Sequence, residues 1–310
     1  MAPDRLKNKL GQELGDVLET ALKDPQVTEI MLNPDGKIWI EKHGEEMKVA
    51  GEMPEGQAMM ILSTVASSLD KVINKESPIL EGVFPLYSCR FSGQIPPVVD
   101  GPCFTIRKPA SQIFTLAQYY DSGIVSVKQL EIIQKAVTAR SNILIVGSTS
   151  SGKTTLANAI LDCMVRDNPN HRLIILEDTR EIQCSAPNKV QMQTAQGVDL
   201  ITLARANLRM RPTRIIVGEV RGGEALSLLK TWNTGHPGGL ATIHANSAYS
   251  GLTRMEQLIL EVSKSPMQTL IGEAIDLVIF IQKTNEGRKV SEIIKVKEFS
   301  NGFYQTQTVI

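Results

Sequence analysis

The fold is decided by the stretch Gly147-Ser148-Thr149-Ser150-Ser151-Gly152-Lys153-Thr154-Thr155, which follows the apolar run Asn142–Val146. The stretch contains the pattern G-x-x-x-x-G-K-[ST], and helical spacing of apolar residues begins directly after it. In this strand–loop–helix order, backbone N–H groups and the positive end of the helix dipole surround phosphate oxygens. We therefore predict a phosphate-binding loop for ATP, in which Lys153 reaches the β- and γ-phosphates and the Thr154 hydroxyl ligates Mg²⁺.

Short apolar runs alternate with segments of helical periodicity around this loop. Alternation of this kind predicts an α/β fold with a mainly parallel sheet covered by helices on both faces. Together with the phosphate-binding loop, this pattern resembles a RecA-like P-loop NTPase domain. The predicted strands are 142–146, 172–176, 214–217, 240–243 and 276–281, and the predicted helices are 153–166, 199–208, 222–233 and 248–263.

The earlier part of the chain has a different pattern, with strands that follow one another and single helices between them. Such an order is typical of an α+β domain. The predicted elements are a β-hairpin of 27–32 and 37–41 around the turn Asn33-Pro34-Asp35-Gly36, a helix over 55–74, and strands within 82–107.

The change of pattern falls close to residue 108. Pro109, Ser111 and Gly123 interrupt the periodicity between the two parts of the chain. We therefore predict an N-terminal α+β domain over residues 1–108, a linker over residues 109–125, and the RecA-like ATPase domain over residues 126–310.

An amphipathic helix is predicted at the N-terminus. Packing against its own domain or a neighbouring subunit would account for the apolar face, and the alternative is a peripheral membrane helix. The polar face carries both charge signs, which argues against strong attraction to anionic lipid. The apolar face consists of Leu6, Leu10, Leu14, Val17, Leu18, Ala21 and Leu22.

The composition, with 42% hydrophobic and 21% charged residues, is that of a soluble globular protein. The net charge is zero, so direct nucleic-acid binding has no support from a basic footprint. The four cysteines form no Cys-x-x-Cys pair, and we expect reduced thiols rather than a zinc site. No apolar run reaches the roughly 18 residues of a transmembrane helix, and we expect a cytoplasmic protein.

Acidic residues follow two further apolar strands. Glu177 and Asp178 follow one, and Glu219 follows the other. Parallel sheets bind ligands at the carboxyl ends of their strands. One carboxylate can position Mg²⁺, and the other can orient or deprotonate the attacking water. Glu177 and Glu219 are therefore candidates both for the metal site and for the general base, and the sequence leaves open which is the base.

Histidines and arginines provide further candidates. His236 and His244 flank a predicted strand, and either sense the γ-phosphate or are ordinary core or surface residues. The arginines near the second acidic strand either stabilise charge in the phosphoryl transition state or form solvated ion pairs. These arginines are Arg205, Arg209, Arg211, Arg214 and Arg221.

Four sequence blocks occur in the order of residues 147–155, 176–181, 211–222 and 234–244. Together they resemble the type II/IV secretion ATPase superfamily. The absent Cys-x-x-Cys pair and the residues Arg221-Gly222 favour the type IV branch of that superfamily. Thr213 departs from the aspartate often found there. Phe104-Thr105-Ile106-Arg107-Lys108 resembles part of the small N-terminal domain of the family. In the terms used for this superfamily, the four blocks are the Walker A loop 147–155, the acidic Asp box 176–181, the Walker B box 211–222 and the His box 234–244.

The resemblance implies a homohexamer whose Mg²⁺-dependent ATP hydrolysis drives pilus biogenesis or substrate transfer in type IV secretion or conjugation. It implies that ATP lies between the two domains, that Arg90 and Arg107 reach the phosphates, and that Phe114, Thr115 and Leu116 approach the adenine. It also implies docking on secretion-channel components at the inner face of the inner membrane. The candidate catalytic residues are Lys153, Glu177, Glu219, His244 and Arg107.

Other functions stay open from the sequence alone. A type II or type IV pilus motor shares the motifs, and a DNA-translocating motor shares the fold, although neutral charge gives DNA binding no support. A small-molecule kinase usually carries an arginine-rich lid and no β-rich N-terminal domain. A nucleotide-gated scaffold with little turnover would not need Lys153, Glu177 and Glu219 together.

Overall fold

The chain forms two compact units in a computed structural model that describes residues 3–42, 45–87, 89–109 and 113–309. Unit 1 comprises Met1–Ser111 and unit 2 comprises Gln112–Ile310. Within the described ranges, no helix combines the length and the apolar character needed to cross a membrane.

Unit 1 is an antiparallel sheet with two helices packed against it. The strand order is β3-β2-β1-β6-β5-β4. The turn at Asn33–Gly36 closes the predicted hairpin and sets Ile30 opposite Ile40 and Leu32 opposite Ile38. The elements are α1 Pro3–Lys23, β1 Val27–Leu32, β2 Lys37–Lys42, β3 Lys48–Glu52, α2 Glu55–Ser68, β4 Ile79–Val83, β5 Arg90–Gln94 and β6 Cys103–Arg107.

The apolar face of α1 is buried in the core of unit 1, as the packing alternative predicts. Its leucines lie against α2 and the sheet, and Val17 alone of the seven predicted residues is more than a third exposed. The face therefore contributes to the stability of its own unit through burial of apolar surface.

The predicted helix over 55–74 is too long. Helix α2 ends at Ser68, and Asp70 has a left-handed φ of 54°. The Lys71 N–H then donates to Ala66 O across 2.9 Å, which closes the end of the helix with a backbone hydrogen bond. The apolar residues beyond this point continue the helical spacing without continuing the helix.

Unit 2 is a mainly parallel sheet with helices on both faces, which confirms the predicted fold class. The strand order is β14-β13-β12-β7-β11-β10-β8-β9, and only β13 and β14 run antiparallel to their neighbours. The elements are α3 Leu116–Asp121, α4 Val127–Thr138, β7 Ile143–Gly147, α5 Lys153–Asp167, β8 Leu173–Glu177, β9 Lys189–Gln193, α6 Leu200–Asn207, a 3₁₀ turn Leu208–Met210, β10 Arg214–Val220, α7 Glu224–Asn233, β11 Leu240–His244, α8 Ala248–Leu260, α9 Gln268–Ala274, β12 Leu277–Thr284, β13 Gly287–Ser300 and β14 Phe303–Thr308.

The two faces of this sheet have separate apolar cores. Helices α6, α7, α8 and α9 cover one face, and α3, α4 and α5 cover the other. Helix α3 lies within residues 109–125, the predicted linker, of which 110–112 lie outside the described residues. Leu116 and Tyr119 of this helix are buried in the core of unit 2.

The parallel register places the sequence blocks at one edge of the sheet. His244 at the end of β11 pairs with Gly147 at the end of β7. Val217 of β10 pairs with Leu176 of β8, so Glu219 and Glu177 emerge at the same edge. The carboxyl edge of a parallel sheet is where α/β proteins bind ligands.

Candidate active site

The phosphate-binding loop links β7 to the N-terminus of α5. A Cβ at Gly147 would lie 2.3 Å from Ile281 O and 2.5 Å from Ser151 Oγ, so only glycine fits there. Gly152 has a left-handed φ of 98°, which glycine adopts without strain, and it immediately precedes α5. The loop therefore has the local backbone geometry that its sequence predicts.

A chain of polar contacts connects this loop to the ends of β10 and β11. The Lys153 ammonium donates to Ser148 O across 2.8 Å and lies 3.1 Å from His244 Nδ1. His244 Nε2 is 2.8 Å from Glu219 Oε1. Lys153 is only 7% exposed, so its charge is held inside the site and directed at the loop.

These contacts define the protonation of His244. Because Lys153 is a donor only, Nδ1 accepts a hydrogen bond from the ammonium, and Nε2–H donates to Glu219. Burial and the Lys153 charge lower the pKa of His244, although Glu219 opposes them. The imidazole is therefore neutral at pH 7 and connects the lysine of the loop to the Walker B carboxylate.

Glu219 is held in its charged form. Arg221 Nη2 donates to Glu219 Oε2 across 2.6 Å, and Arg221 Nη1 is 3.9 Å from Asp178 Oδ2. Burial raises the pKa of Glu219, but the Arg221 hydrogen bond and the charges of Arg221, His244 and Lys153 outweigh it and place the pKa below its usual range. Glu219 is therefore an ionised carboxylate at the edge of the sheet.

Glu177 has a contrasting environment. Its side chain is 2% exposed, and Oε1 accepts hydrogen bonds from the N–H groups of Glu181 and Ile182 at 2.8 and 2.7 Å. Burial raises the pKa of Glu177 to about 7, and those two hydrogen bonds oppose the rise. Its Oε2 atom is buried without a hydrogen-bond partner among the described residues. Glu177 thus anchors the Asp-box backbone with one oxygen and has the other unused.

Glu181 is a site residue to which the sequence analysis assigned no role. The Thr154 hydroxyl donates to Glu181 Oε2 at 3.3 Å, so a third carboxylate lies beside the predicted Mg²⁺ ligand. Glu181 lies in the Asp box, four residues after Glu177. The sequence alone does not reveal its role, because its contact with Thr154 requires the 178–182 backbone to fold back towards α5.

The donor set fits Mg²⁺ held together with a nucleotide. Among the described residues, no group of three or more His, Cys, Asp or Glu side chains could hold a metal by itself. Mg²⁺ is usually bound by one or two carboxylates, together with waters and substrate phosphates. Glu181 and the unused oxygen of Glu177 are two such carboxylates beside the Thr154 hydroxyl.

Other sequence candidates lie away from this cluster. His236 is 3.2 Å from Pro212 O, before β10 and β11 begin, so it lies at the edge of the sheet opposite the phosphate-binding loop, and the sensor alternative stays a prediction. Arg214 is fully buried at that same edge and donates to His171 Nδ1, Gly238 O and Val137 O. Its role is structural, because these contacts occupy the guanidinium.

The remaining arginines divide between the two units. Arg205, Arg209 and Arg211 are exposed. Of the five arginines predicted near the second acidic strand, Arg221 is the one that contacts Glu219. Arg90 and Arg107 are directly opposite each other on β5 and β6 of unit 1, near Glu29. Their contact with ATP phosphates stays a prediction.

The fold and the cluster define a P-loop protein whose Asp, Walker B and His boxes meet beside the loop. Residues 12–286 match the type II/IV secretion system protein family. The chain belongs to that family, and the resemblance found in the sequence is confirmed.

Relatives and solved structures agree with this assignment. The chain is 50% identical to the probable conjugal transfer protein TrbB of Sinorhizobium fredii, with 98% of this chain and 94% of that protein covered. It is 30% identical to the type IV secretion system protein VirB11 of Bartonella quintana, covering 88% and 89%. The VirB11 ATPase of the Brucella suis type IV secretion system, in complex with sulphate, matches with a TM-score of 0.50 and 26% identity over 95% of this chain and 96% of that one. The pilus retraction motor PilT with bound ADP shares the fold, with a TM-score of 0.66 and 18% identity over 94% and 82%.

Proposed function

We propose that the chain is an ATPase that powers a bacterial conjugal transfer or type IV secretion machine as a homohexamer at the cytoplasmic face of the inner membrane. One observation carries the proposal: Lys153, His244 and Glu219, from three separate sequence blocks, form a continuous hydrogen-bonded chain at the phosphate-binding loop. The resemblance to TrbB over almost the whole chain supports the machine that we name.

In this proposal, Lys153 exchanges its contacts with Ser148 O and His244 for the β- and γ-phosphates of ATP. The exchange favours binding because the ammonium gains two anionic partners in a site with little water. Thr154 and Glu181 would hold Mg²⁺, which supplies positive charge to the phosphates when bound.

Glu219 is the stronger candidate for the carboxylate that orients the attacking water. It is ionised, whereas Glu177 has a pKa of about 7 and uses one oxygen to hold the Asp-box backbone. The water attacks the γ-phosphorus as ADP leaves, and its proton passes to Glu219. His244 has already lost its Lys153 contact when ATP binds, and it keeps Nε2–H on Glu219, so it positions that carboxylate.

Turnover of ATP by Glu219→Gln tests this assignment. We expect the rate to fall about 100-fold or more, the typical effect of losing a general base, while ATP still binds. Glu131→Gln, an exposed carboxylate of unit 2, is the matched control and should keep the wild-type rate. If Glu219→Gln retained the wild-type turnover, Glu177 would become the candidate for the carboxylate that orients the attacking water.

Particle mass tests the ring. We expect turnover per chain to rise with protein concentration as a six-subunit species forms, with mass measured on the same samples with and without ATP. Turnover by a strict monomer would support the ATPase activity and contradict the proposed hexameric motor. ATP binding with no turnover at any concentration would instead favour the nucleotide-gated scaffold.

A further inference from the structure

The hairpin between β12 and β13 extends beside the phosphate-binding loop. Strand β12 pairs with β7 up to Phe280 and Val146, and then continues past the end of β7 to Thr284. The turn is tightened by the Thr284 hydroxyl, which donates to Gly287 O at 2.9 Å. The residue that follows this turn is Arg288, and it lies outside the four sequence blocks.

The Arg288 side chain lies directly against Gly152. A Cβ added to Gly152 would be 2.9 Å from Arg288 Cδ and 3.2 Å from its Nε. Position 152 is the last residue before α5, where backbone N–H groups and the helix dipole favour an anion. The hairpin thus brings a second cation to the loop besides Lys153.

The guanidinium of Arg288 is not held in place by the part of the chain that the structure describes. Among the described residues, none forms a hydrogen bond or ion pair with it, and the side chain is exposed. Its surroundings are well fixed, because Val290 donates to Ile124 O at 2.9 Å and accepts from Gln129 Nε2 at 2.9 Å. A fixed strand therefore presents, at the phosphate-binding loop, a cation that no described residue pairs with.

The neighbouring helix extends this side of the site. Burial raises the pKa of the Tyr119 hydroxyl on α3, and the nearby charge of Arg288 opposes that rise. Helix α3 begins directly after Phe114 and Thr115, the residues predicted to approach the adenine. Arg288 is therefore in contact with the start of α5, and its charge acts on the helix that follows the predicted adenine segment.

We infer that Arg288 is a nucleotide-binding residue that grips the phosphates common to ADP and ATP. The inference rests on the proposed ATPase function and adds a residue from the β12–β13 hairpin to that site. A guanidinium presents planar, paired donors that match phosphate oxygens, and its charge is permanent. Because both nucleotides carry those phosphates, Arg288 contributes to binding rather than to the chemical step.

The test measures dissociation constants of ADP and of inorganic tripolyphosphate for the full chain. Arg288→Ala should weaken both ligands by about tenfold to 100-fold, the range for a lost charge-assisted hydrogen bond. Arg288→Lys should recover part of the affinity. Lys289→Ala is the control, because this exposed residue is adjacent and leaves β13 on the opposite face, and it should bind both ligands as the wild type does.

Steady-state turnover completes the test. Arg288→Ala should raise KM for ATP and leave kcat within about twofold, as expected when uniform binding is lost. Weakened ADP binding with unchanged tripolyphosphate binding would mean contact with base or ribose, and would overturn the phosphate assignment. So would wild-type affinity for ADP in Arg288→Ala. If the wild type itself bound no ADP, the proposed ATPase function would fail first.

Discussion

Replacing the buried Glu177 by glutamine should change how the stability of unit 2 depends on pH. The folded protein raises the pKa of this carboxyl from the usual 4.5 to about 7. Below pH 4.5 the group is protonated in both the folded and the unfolded chain. Between pH 4.5 and 7 the unfolded chain releases the proton and the folded chain keeps it, so the free energy of unfolding falls as pH rises.

The size of the effect follows from the same values. A rise from 4.5 to about 7 corresponds to about 3 kcal/mol, lost progressively across this window and fully lost above pH 7. Glutamine does not titrate, and its carbonyl oxygen can still accept from the N–H groups of Glu181 and Ile182. Glu177→Gln should therefore gain about 3 kcal/mol relative to the wild type between pH 4.5 and pH 8.

Urea unfolding at a series of pH values measures this difference. Trp232 is 2% exposed in the core of unit 2, so its fluorescence reports that unit once Trp39 of unit 1 is replaced by phenylalanine in every variant. Glu286→Gln, on an exposed turn of unit 2, is the control for exchanging a carboxylate for an amide away from the core. A flat difference for Glu177→Gln would refute the argument that burial holds the proton.

Three further substitutions separate the roles of other residues. Lys153→Ala should lower ATP turnover about 100-fold or more, because it removes the cation of the loop, and near-normal turnover would contradict the assignment. Glu181→Gln should raise the Mg²⁺ concentration for half-maximal turnover about tenfold, since it removes charge beside Thr154, and an unchanged requirement would make Glu181 structural. Arg214→Met should lower the free energy of unfolding by about 2–5 kcal/mol, because two buried carbonyl oxygens lose their donor. The control Arg205→Ala, at an exposed position, should lower it by less than about 0.5 kcal/mol. Equal losses in the two variants would refute the structural role of Arg214.

The difference between the environments of Glu177 and Glu219 comes from the tertiary structure. Both follow apolar parallel strands, and nothing in the local sequence separates them. The structure places Arg221 and His244 on Glu219 and the Asp-box backbone on Glu177. These partners come from segments distant in sequence, and they are what makes one carboxylate ionised and raises the pKa of the other.

Some elements of unit 2 could not be predicted from periodicity. Strand β9 is half-buried at the edge of the sheet, and β13 alternates charged and apolar residues in a long antiparallel hairpin. Strands at the edge of the sheet, or next to it as β13 is, bury less surface, so their sequences lack the continuous apolar run that marks a central strand. Arg288 lies in that hairpin, beyond the last strand that the sequence predicts.

By itself, the sequence determined the phosphate-binding loop, the parallel strands that end in acidic residues and the α/β class of unit 2. Those features are local: a glycine pattern dictates a backbone path, and an apolar run dictates a buried strand. Only the tertiary structure decided that His244 and not His236 joins Lys153, that Arg214 is a buried structural cation, and that Arg288 lies against Gly152. Such outcomes depend on which edge of the sheet each strand end occupies and on where a hairpin folds back, and these follow from packing of the whole unit.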